Sequence, residues 1–180
     1  MARRVVSSTD FRDGPRGSIG QSVFLSTYEK QLDGKRRLLI PQEFRTAENG
    51  AEHGVFCFPS IEADCLEAGG DKLFAEYRAV IESLPFGDPY RSALEASIFG
   101  EQKPLSYDSA GRITLPEHLC AEVDLSDTVV IYGVGERFQI WNKDKWAAHR
   151  AEQRRMAREG LKQFGEMRRQ AAAAKTGGAA

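Results

Sequence analysis

The apolar positions of this chain fall in short alternating runs broken by glycine and proline, with helical spacing in the middle and at the end. The first run, residues 23–32, reads as a strand with Phe24, Ser26, Tyr28, Lys30 and Leu32 on one face. Asp33-Gly34 follows as a hairpin-turn dipeptide, with glycine supplying the positive φ such a turn needs. Residues 37–40 form a second short strand. Pro41, pre-set for a first helical position, then opens one helical turn over residues 42–47. Asn49-Gly50 breaks that turn, and residues 55–58 make a third strand ended by Pro59. Cys65-Leu66 begins a fourth run, but Glu67-Ala68-Gly69-Gly70 is poor strand material, so the last strand of this unit is left open.

From Asp71 the period changes. Leu73, Tyr77, Val80 or Ile81, and Leu84 recur at helical spacing until Pro85 and Gly87 stop them. Asp88 caps a second helix with Pro89 at its first position, and Tyr90, Leu94 and Ile98 mark its stripe up to Gly100. Both stripes read as core. Alternation then returns. Residues 105–107 and 112–115 are strands around a tight turn containing Gly111, and residues 117–122 are a short helix. Residues 128–132 are a buried strand, Gly133-Val134-Gly135 a turn, and residues 138–141 the final strand. Asn142 caps a long helix to about residue 169, with Trp146, Met156, Phe164 and Met167 as a weak apolar face.

The two alternating regions are copies of one unit. Asp33-Gly34-Lys35-Arg36-Arg37-Leu38-Leu39-Ile40-Pro41 is matched by Asp108-Ser109-Ala110-Gly111-Arg112-Ile113-Thr114-Leu115-Pro116 at a gapless offset of 75 residues. A repeat of about 45 residues buries too little on its own, so two repeats sharing one core are expected. The domain organisation is then a disordered arm over 1–22, repeat one over 24–70, a helical connector over 71–100, repeat two over 102–146, a C-terminal helix over 142–169 and a flexible tail over 170–180. The fold class is α+β.

Charge changes the picture only locally. Formal net charge is -1, which by itself points to no polyanionic partner. Residues 1–22 nevertheless carry four Arg against two Asp, and residues 143–169 carry nine Lys or Arg against four acids. Three cysteines, Cys57, Cys65 and Cys120, fit neither a disulfide framework nor a zinc pattern, and read as small buried hydrophobes in a reducing compartment. No run is long enough to cross a membrane and the N-terminus has no apolar signal core, so a cytoplasmic location is expected. His53, His118 and His149 lie near no nucleophile motif, and Gly133-Val134-Gly135 leads into a strand rather than a phosphate-binding helix. The chain reads as no enzyme, with no catalytic residues, metal or cofactor.

The candidate chemistry sits at the hairpin tips. Lys35, Arg36 and Arg37 place three positive charges in a row, and Arg112 is the equivalent in the second copy. An arginine fork can grip phosphate or the O6/N7 edge of guanine. Equally, Asp33 and Asp108 could each hold the arginine four residues on as an ion pair that orients the turn and nothing more. On residue chemistry alone these readings weigh the same, and they are compatible. Arg150, Arg154, Arg155 and Arg158 read as a solvated helix face paired with Glu152 and Glu159.

The order strand, tight turn, strand, short helix, strand, turn, strand, twice over, resembles the SpoVT/AbrB family. The resemblance rests on Tyr28-Glu29, Leu32-Asp33, the two Asp-x-x-x-Arg motifs, Ile40-Pro41, Phe44-Arg45, Gly133-Val134-Gly135, Arg137-Phe138 and Ile140-Trp141. It implies two tandem repeats interlocked as a swapped-hairpin barrel, ring-shaped homo-oligomers, and sequence-specific binding of double-stranded DNA in the nucleoid. It further implies regulation, usually repression, at repeated boxes upstream of the chain's own gene in the division and cell-wall cluster. It assigns DNA contact to Arg37 and Arg112, with Lys35 and Arg36 beside them. Three features depart from the family pattern. Arg36 stands where the family usually has glycine, leaving Gly34 or a differently shaped turn to serve. The segment after Leu66 lacks the usual aromatic strand, and the N-terminal arm is an extension. Two other readings stay open: an AbrB-like antitoxin, which would need a toxin partner, and a ring-forming scaffold with no DNA role, which has no need of basic tips.

Overall fold

Every long-range pairing of the second repeat with the first follows from the duplication. The computed structural model describes residues 23–47 and 54–177; the arm over 1–22 lies outside the described residues. Repeat one contributes β1 (Thr27–Gln31), β2 (Arg37–Leu39), α1 (Gln42–Ala47), β3 (Val55–Pro59) and β4 (Leu66–Gly69). Repeat two contributes β5 (Lys103–Leu105), β6 (Arg112–Thr114), α4 (Glu117–Glu122), β7 (Thr128–Gly133) and β8 (Phe138–Asn142). Between them lie α2 (Asp71–Glu82) and α3 (Pro89–Leu94), which widens into a π-helical turn over Glu95–Gly100. α5 (Lys143–Gly177) closes the chain.

Six strands form one antiparallel sheet in the order β1-β7-β8-β4-β3-β5, and β2 pairs with β6 in a separate ribbon. Exchanging each strand for its repeat-equivalent (β1 with β5, β3 with β7, β4 with β8) reverses the sheet order and leaves it unchanged. The two repeats are therefore related by a local two-fold. It passes between Leu38 and Ile113 in the ribbon and between Glu67 and Gln139 in the sheet, the central pair of each register. Neither repeat keeps its strands to itself: β1 lies against β7, β4 against β8 and β2 against β6.

The shared core explains why. Leu38, Ile40 and Phe44 of the first copy and Ile113, Leu115 and Leu119 of the second are all buried in a single cluster. Each such side chain contributes about 1.5–3 kcal/mol on burial, and only the union of both copies encloses them. Phe24, Phe44 and Phe138 meet at its centre, with ring centroids 5.1 to 5.4 Å apart.

The structure alters the sequence reading in several places. β1 starts at Thr27, because Ser26 takes φ 85° and breaks the run, while Phe24 makes an isolated bridge to Gly135. The doubtful last strand of repeat one exists: β4 is fully buried between β3 and β8. Its small residues suit that place, since a Cβ on Gly69 would come within 2.9 Å of Leu73 of α2. Its one charge, Glu67, is 0% exposed. Ser60 Oγ donates to it at 2.8 Å, Tyr77 Oη at 2.7 Å, and Arg137 Nε stands 3.2 Å away. Strand propensity was outweighed by tertiary pairing.

Asp88 caps α3 as expected, accepting from the backbone of Tyr90 at 2.8 Å, but Tyr90 itself is exposed rather than core. Asn142 accepts from Asp144 N at 2.9 Å at the start of α5. That helix runs on through residues 170–177 to Gly177, where the sequence suggested a tail from 170. Its root is seated on the sheet by Trp146, which packs on Tyr132 at 4.4 Å, and by His149, which packs on Trp141 at 4.2 Å. Among the described residues, no helix is long and apolar enough to cross a membrane.

Candidate nucleic-acid interface

Each hairpin tip is built by one aspartate. In the first, Asp33 Oδ1 accepts from Lys35 N and Arg37 N, both at 2.9 Å, and Asp33 Oδ2 accepts from Arg37 Nε at 2.6 Å. In the second, Asp108 Oδ1 accepts from Ala110 N and Arg112 N, both at 2.9 Å, and Oδ2 accepts from Arg112 Nε at 2.7 Å. The backbone repeats too: Arg36 N donates to Asp33 O at 2.7 Å, and Gly111 N to Asp108 O at 2.8 Å. A short side chain that satisfies two turn amides and an arginine at once explains why an acid opens both motifs. The hydrogen bond from the Arg37 backbone is the main cause holding the Asp33 carboxyl below its usual range. For Asp108 the Arg112 side chain is the main cause, and its pKa falls to about 2. The same contact raises Arg112. Asp33 and Asp108 are therefore carboxylates across the physiological range.

The left-handed residue of the first tip is Arg36 itself, at φ 57°, and of the second Gly111, at φ 78°. Gly34 is not among the positive-φ residues, so the expectation that it supplies the turn's flexibility is corrected. The turn closes with a left-handed residue after the third position, whatever residue stands there. Arg36 then folds across the ribbon: its Nε donates to Leu115 O at 3.2 Å and its Nη1 lies 3.6 Å from Glu117 Oε2.

β2 and β6 carry the remaining candidates. Leu38 and Ile113 point into the core with no exposure. Strand residues alternate faces, so Arg37, Leu39, Arg112 and Thr114 stand on the opposite, outward face. The register sets Arg37 across from Thr114 and Leu39 across from Arg112. The two arginines thus sit diagonally on one surface, related by the local two-fold. Each guanidinium is tied at one edge by its aspartate. Among the described residues, the Nη groups of Arg37 donate no hydrogen bond, so that edge is free to meet a ligand. Lys35 is exposed at the first tip. The structure therefore brings Arg37 and Arg112 together with Lys35 nearby, and turns Arg36 away from them.

One residue outside the expected set belongs with the site. Arg45 Nε donates to Ile40 O at 3.2 Å, and a Cβ on Gly111 would lie 2.5 Å from the Arg45 guanidinium. Arg45 thus braces the second tip as Arg36 braces the first. The sequence holds a trace of this: at the 75-residue offset Arg36 matches Gly111, and Arg45 matches Cys120. The arginine and the small residue have changed places.

On α5, Arg155 pairs with Glu152 at 2.6 Å and with Glu159 at 2.8 Å, as a solvated face would. The three cysteines are free and buried; burial pushes the Cys57 thiol up strongly and that of Cys65 up to about 12.

These features define a class: a duplicated, interdigitated hairpin fold that displays an arginine-bearing ribbon on a two-fold axis. The family model for MraZ protein, whose description adds the words antitoxin-like, matches residues 98–163. The transcriptional regulator MraZ of Caulobacter vibrioides (strain NA1000 / CB15N) is 60% identical over 158 residues, covering 88% of this chain and 99% of the relative. That of Phenylobacterium zucineum (strain HLK1) is 57% identical over 155 residues, covering 86% and 97%. That of Xanthobacter autotrophicus (strain ATCC BAA-1158 / Py2) is 40% identical over 138 residues, covering 76% and 87%. The chain belongs to the MraZ family, a family of transcriptional regulators and not of enzymes.

Proposed function

We propose that the chain is a sequence-specific double-stranded DNA-binding regulator, acting as a repressor at repeated boxes upstream of its own gene in the division and cell-wall cluster. The observation that carries this reading is the β2–β6 ribbon, with Arg37 and Arg112 on its one outward face. A two-stranded ribbon is narrow enough to enter the major groove, where arginine reads guanine and phosphate contacts set the register. Asp33 and Asp108 aim the arginines, Lys35 adds a phosphate contact, and Arg36 acts as a brace.

The palindromic strand order supports an interlocked swapped-hairpin barrel in which the ribbon closes over the sheet. One ribbon binds weakly. A ring of copies presents several, and repeated boxes engage them together, which raises avidity by ~10² to 10⁴-fold. Local charge at the ribbon reconciles binding with a net charge of -1. The protein works in the cytoplasm, on the nucleoid.

Fluorescence anisotropy with DNA from upstream of the chain's own gene, against a scrambled duplex at several salt concentrations, tests this. Tight binding to the upstream probe that weakens steeply with salt is the expected result. Equal affinity for both probes overturns it and leaves the scaffold reading.

A further inference from the structure

The outward face of the ribbon is not symmetric. Its two arginines are repeat-equivalent, but the residues beside them differ: Leu39 of β2 and Thr114 of β6 occupy the same position of the repeat. Both are exposed, Leu39 at 42%. The register places Thr114 across from Arg37 and Leu39 across from Arg112, and side chains so opposed stand about 4.5–5.5 Å apart at Cβ. The tips differ in the same sense. Lys35 is exposed at the tip on the Arg37 side, and its counterpart at the other tip is Ala110. One end of the ribbon thus offers lysine, arginine and a hydroxyl, while the other sets an arginine beside an isobutyl group. A single exposed leucine is ordinary on a protein surface. This one belongs to none of the three buried clusters, so the fold does not call for it, and it shares its face with the arginines.

We infer that Leu39 and Thr114 are specificity-determining residues that make the two halves of the reader unequal: Leu39 packs on the C5 methyl group of a thymine, and Thr114 offers its hydroxyl to a base edge in the opposite half-site. The inference rests on the DNA-binding reading above and adds which bases are told apart and in which direction the chain lies. In the major groove the methyl group marks thymine for an apolar side chain, while a hydroxyl serves donors and acceptors alike. Leucine has no polar atom to meet the donor that cytosine or adenine presents there, and a polar group buried without a partner is costly. Threonine, with both a methyl and a hydroxyl, accommodates several bases. The Leu39 end therefore selects and the Thr114 end is permissive, with Lys35 adding a phosphate contact on that side alone. A chain turned end for end about the local two-fold keeps its arginine contacts but loses the methyl contact. The ribbon accordingly lies on each box in one direction.

Methyl deletion tests this. The probe is the duplex from upstream of the chain's own gene, with one thymine position of each box at a time replaced by uracil, which removes the C5 methyl group and leaves base pairing unchanged. In anisotropy titrations the wild type should bind one of these duplexes roughly 4-fold or more weakly than the parent, the size expected for one buried methyl group. Leu39→Ser should bind that duplex and the parent equally. Thr114→Leu should gain a preference of similar size for thymine over uracil at the position related by the two-fold, read on a duplex carrying thymine there. Both positions are exposed, so circular dichroism of the variants should match the wild type. Upstream-specific binding that no uracil position weakens overturns the inference while the DNA-binding reading stands. So does a uracil effect that Leu39→Ser keeps in full, because another group then reads the methyl, and so does a Thr114→Leu variant that gains no preference. Equal affinity of the wild type for the upstream and a scrambled duplex overturns the DNA-binding reading itself, and the inference with it.

Discussion

At the first tip the left-handed position is filled by Arg36, at φ 57°, and at the second by Gly111, at φ 78°. At the first, the guanidinium that ties the tip to the neighbouring repeat grows from that turn residue and reaches Leu115 O. At the second it comes from Arg45 on α1, lies over the Cβ-less Gly111, and reaches Ile40 O. Ile40 and Leu115 are themselves repeat-equivalent, so the same carbonyl is held by a guanidinium of different origin. The position of α4 that corresponds to Arg45 is Cys120, near enough to Arg36 for that charge to act on its thiol. A duplicated fold thus fixes where a charge must sit but not which residue of the pair supplies it. The first tip accepts a strained backbone, on the order of 1–2 kcal/mol for a non-glycine residue, in exchange for the brace.

The sheet axis offers the second contrast and the largest expected effect. Glu67 is buried with three partners from Ser60, Tyr77 and Arg137. Its two-fold mate Gln139 accepts from Trp141 Nε1 at 3.0 Å. Glu67→Ala strips the Ser60 and Tyr77 hydroxyls of their buried acceptor and leaves Arg137 only the exposed Glu62, at 3.2 Å; with two donors orphaned at about 1–3 kcal/mol each, it should cost about 3–5 kcal/mol. Gln139→Ala removes a neutral bond and should cost about 1–3 kcal/mol. Urea unfolding of the two variants measures the gap, and equal losses would break the contrast.

Next comes the exchange of the brace. Cys120→Arg in the wild type forces two guanidinium groups toward one place and should destabilise by about 1–3 kcal/mol. Adding Arg36→Gly rebuilds the first tip on the pattern of the second and should recover most of that loss. A double-mutant cycle on thermal stability reads the coupling. Additive effects would show that Arg36 and Cys120 do not share a site.

Acid titration gives a smaller effect. Asp33 and Asp108 both have folded-state pKa values below their ordinary one, Asp108 at about 2. A depressed carboxylate pKa contributes stability that is complete above the unfolded value and is lost as pH falls through the folded one. The tips should therefore keep their Asp–Arg pairs at pH 5 and lose that of Asp108 only as pH nears about 2. Carboxyl NMR shifts follow each aspartate. Titration of Asp108 at an ordinary carboxylate pKa would contradict the geometry of its tip.

Much of this architecture was legible before any coordinates. The 75-residue repeat, the short helix after each proline and the cap at Asp88 all depend on local chemistry that a sequence displays directly. β4 was not legible, because Glu67-Ala68-Gly69 becomes a strand only when β3 and β8 flank it and Ser60, Tyr77 and Arg137 satisfy the glutamate. The brace roles of Arg36 and Arg45 were hidden for a similar reason: each acts across the repeat boundary, Arg36 on the carbonyl of Leu115 and Arg45 over Gly111. The Asp–Arg pairing could be named as an option, but only the β2–β6 register shows that the two arginines share one face.

The central claim is that Arg37 and Arg112 are two equivalent halves of one DNA-reading surface. Anisotropy titrations on upstream DNA with Arg37→Ala, Arg112→Ala and the double variant, each across a salt series, address it most directly. Each single variant should weaken binding by on the order of 10-fold or more and flatten the salt dependence. The two losses should be of similar size, with the double variant weaker than either. Full binding by one single variant, with the entire loss in the other, would contradict a two-fold reader.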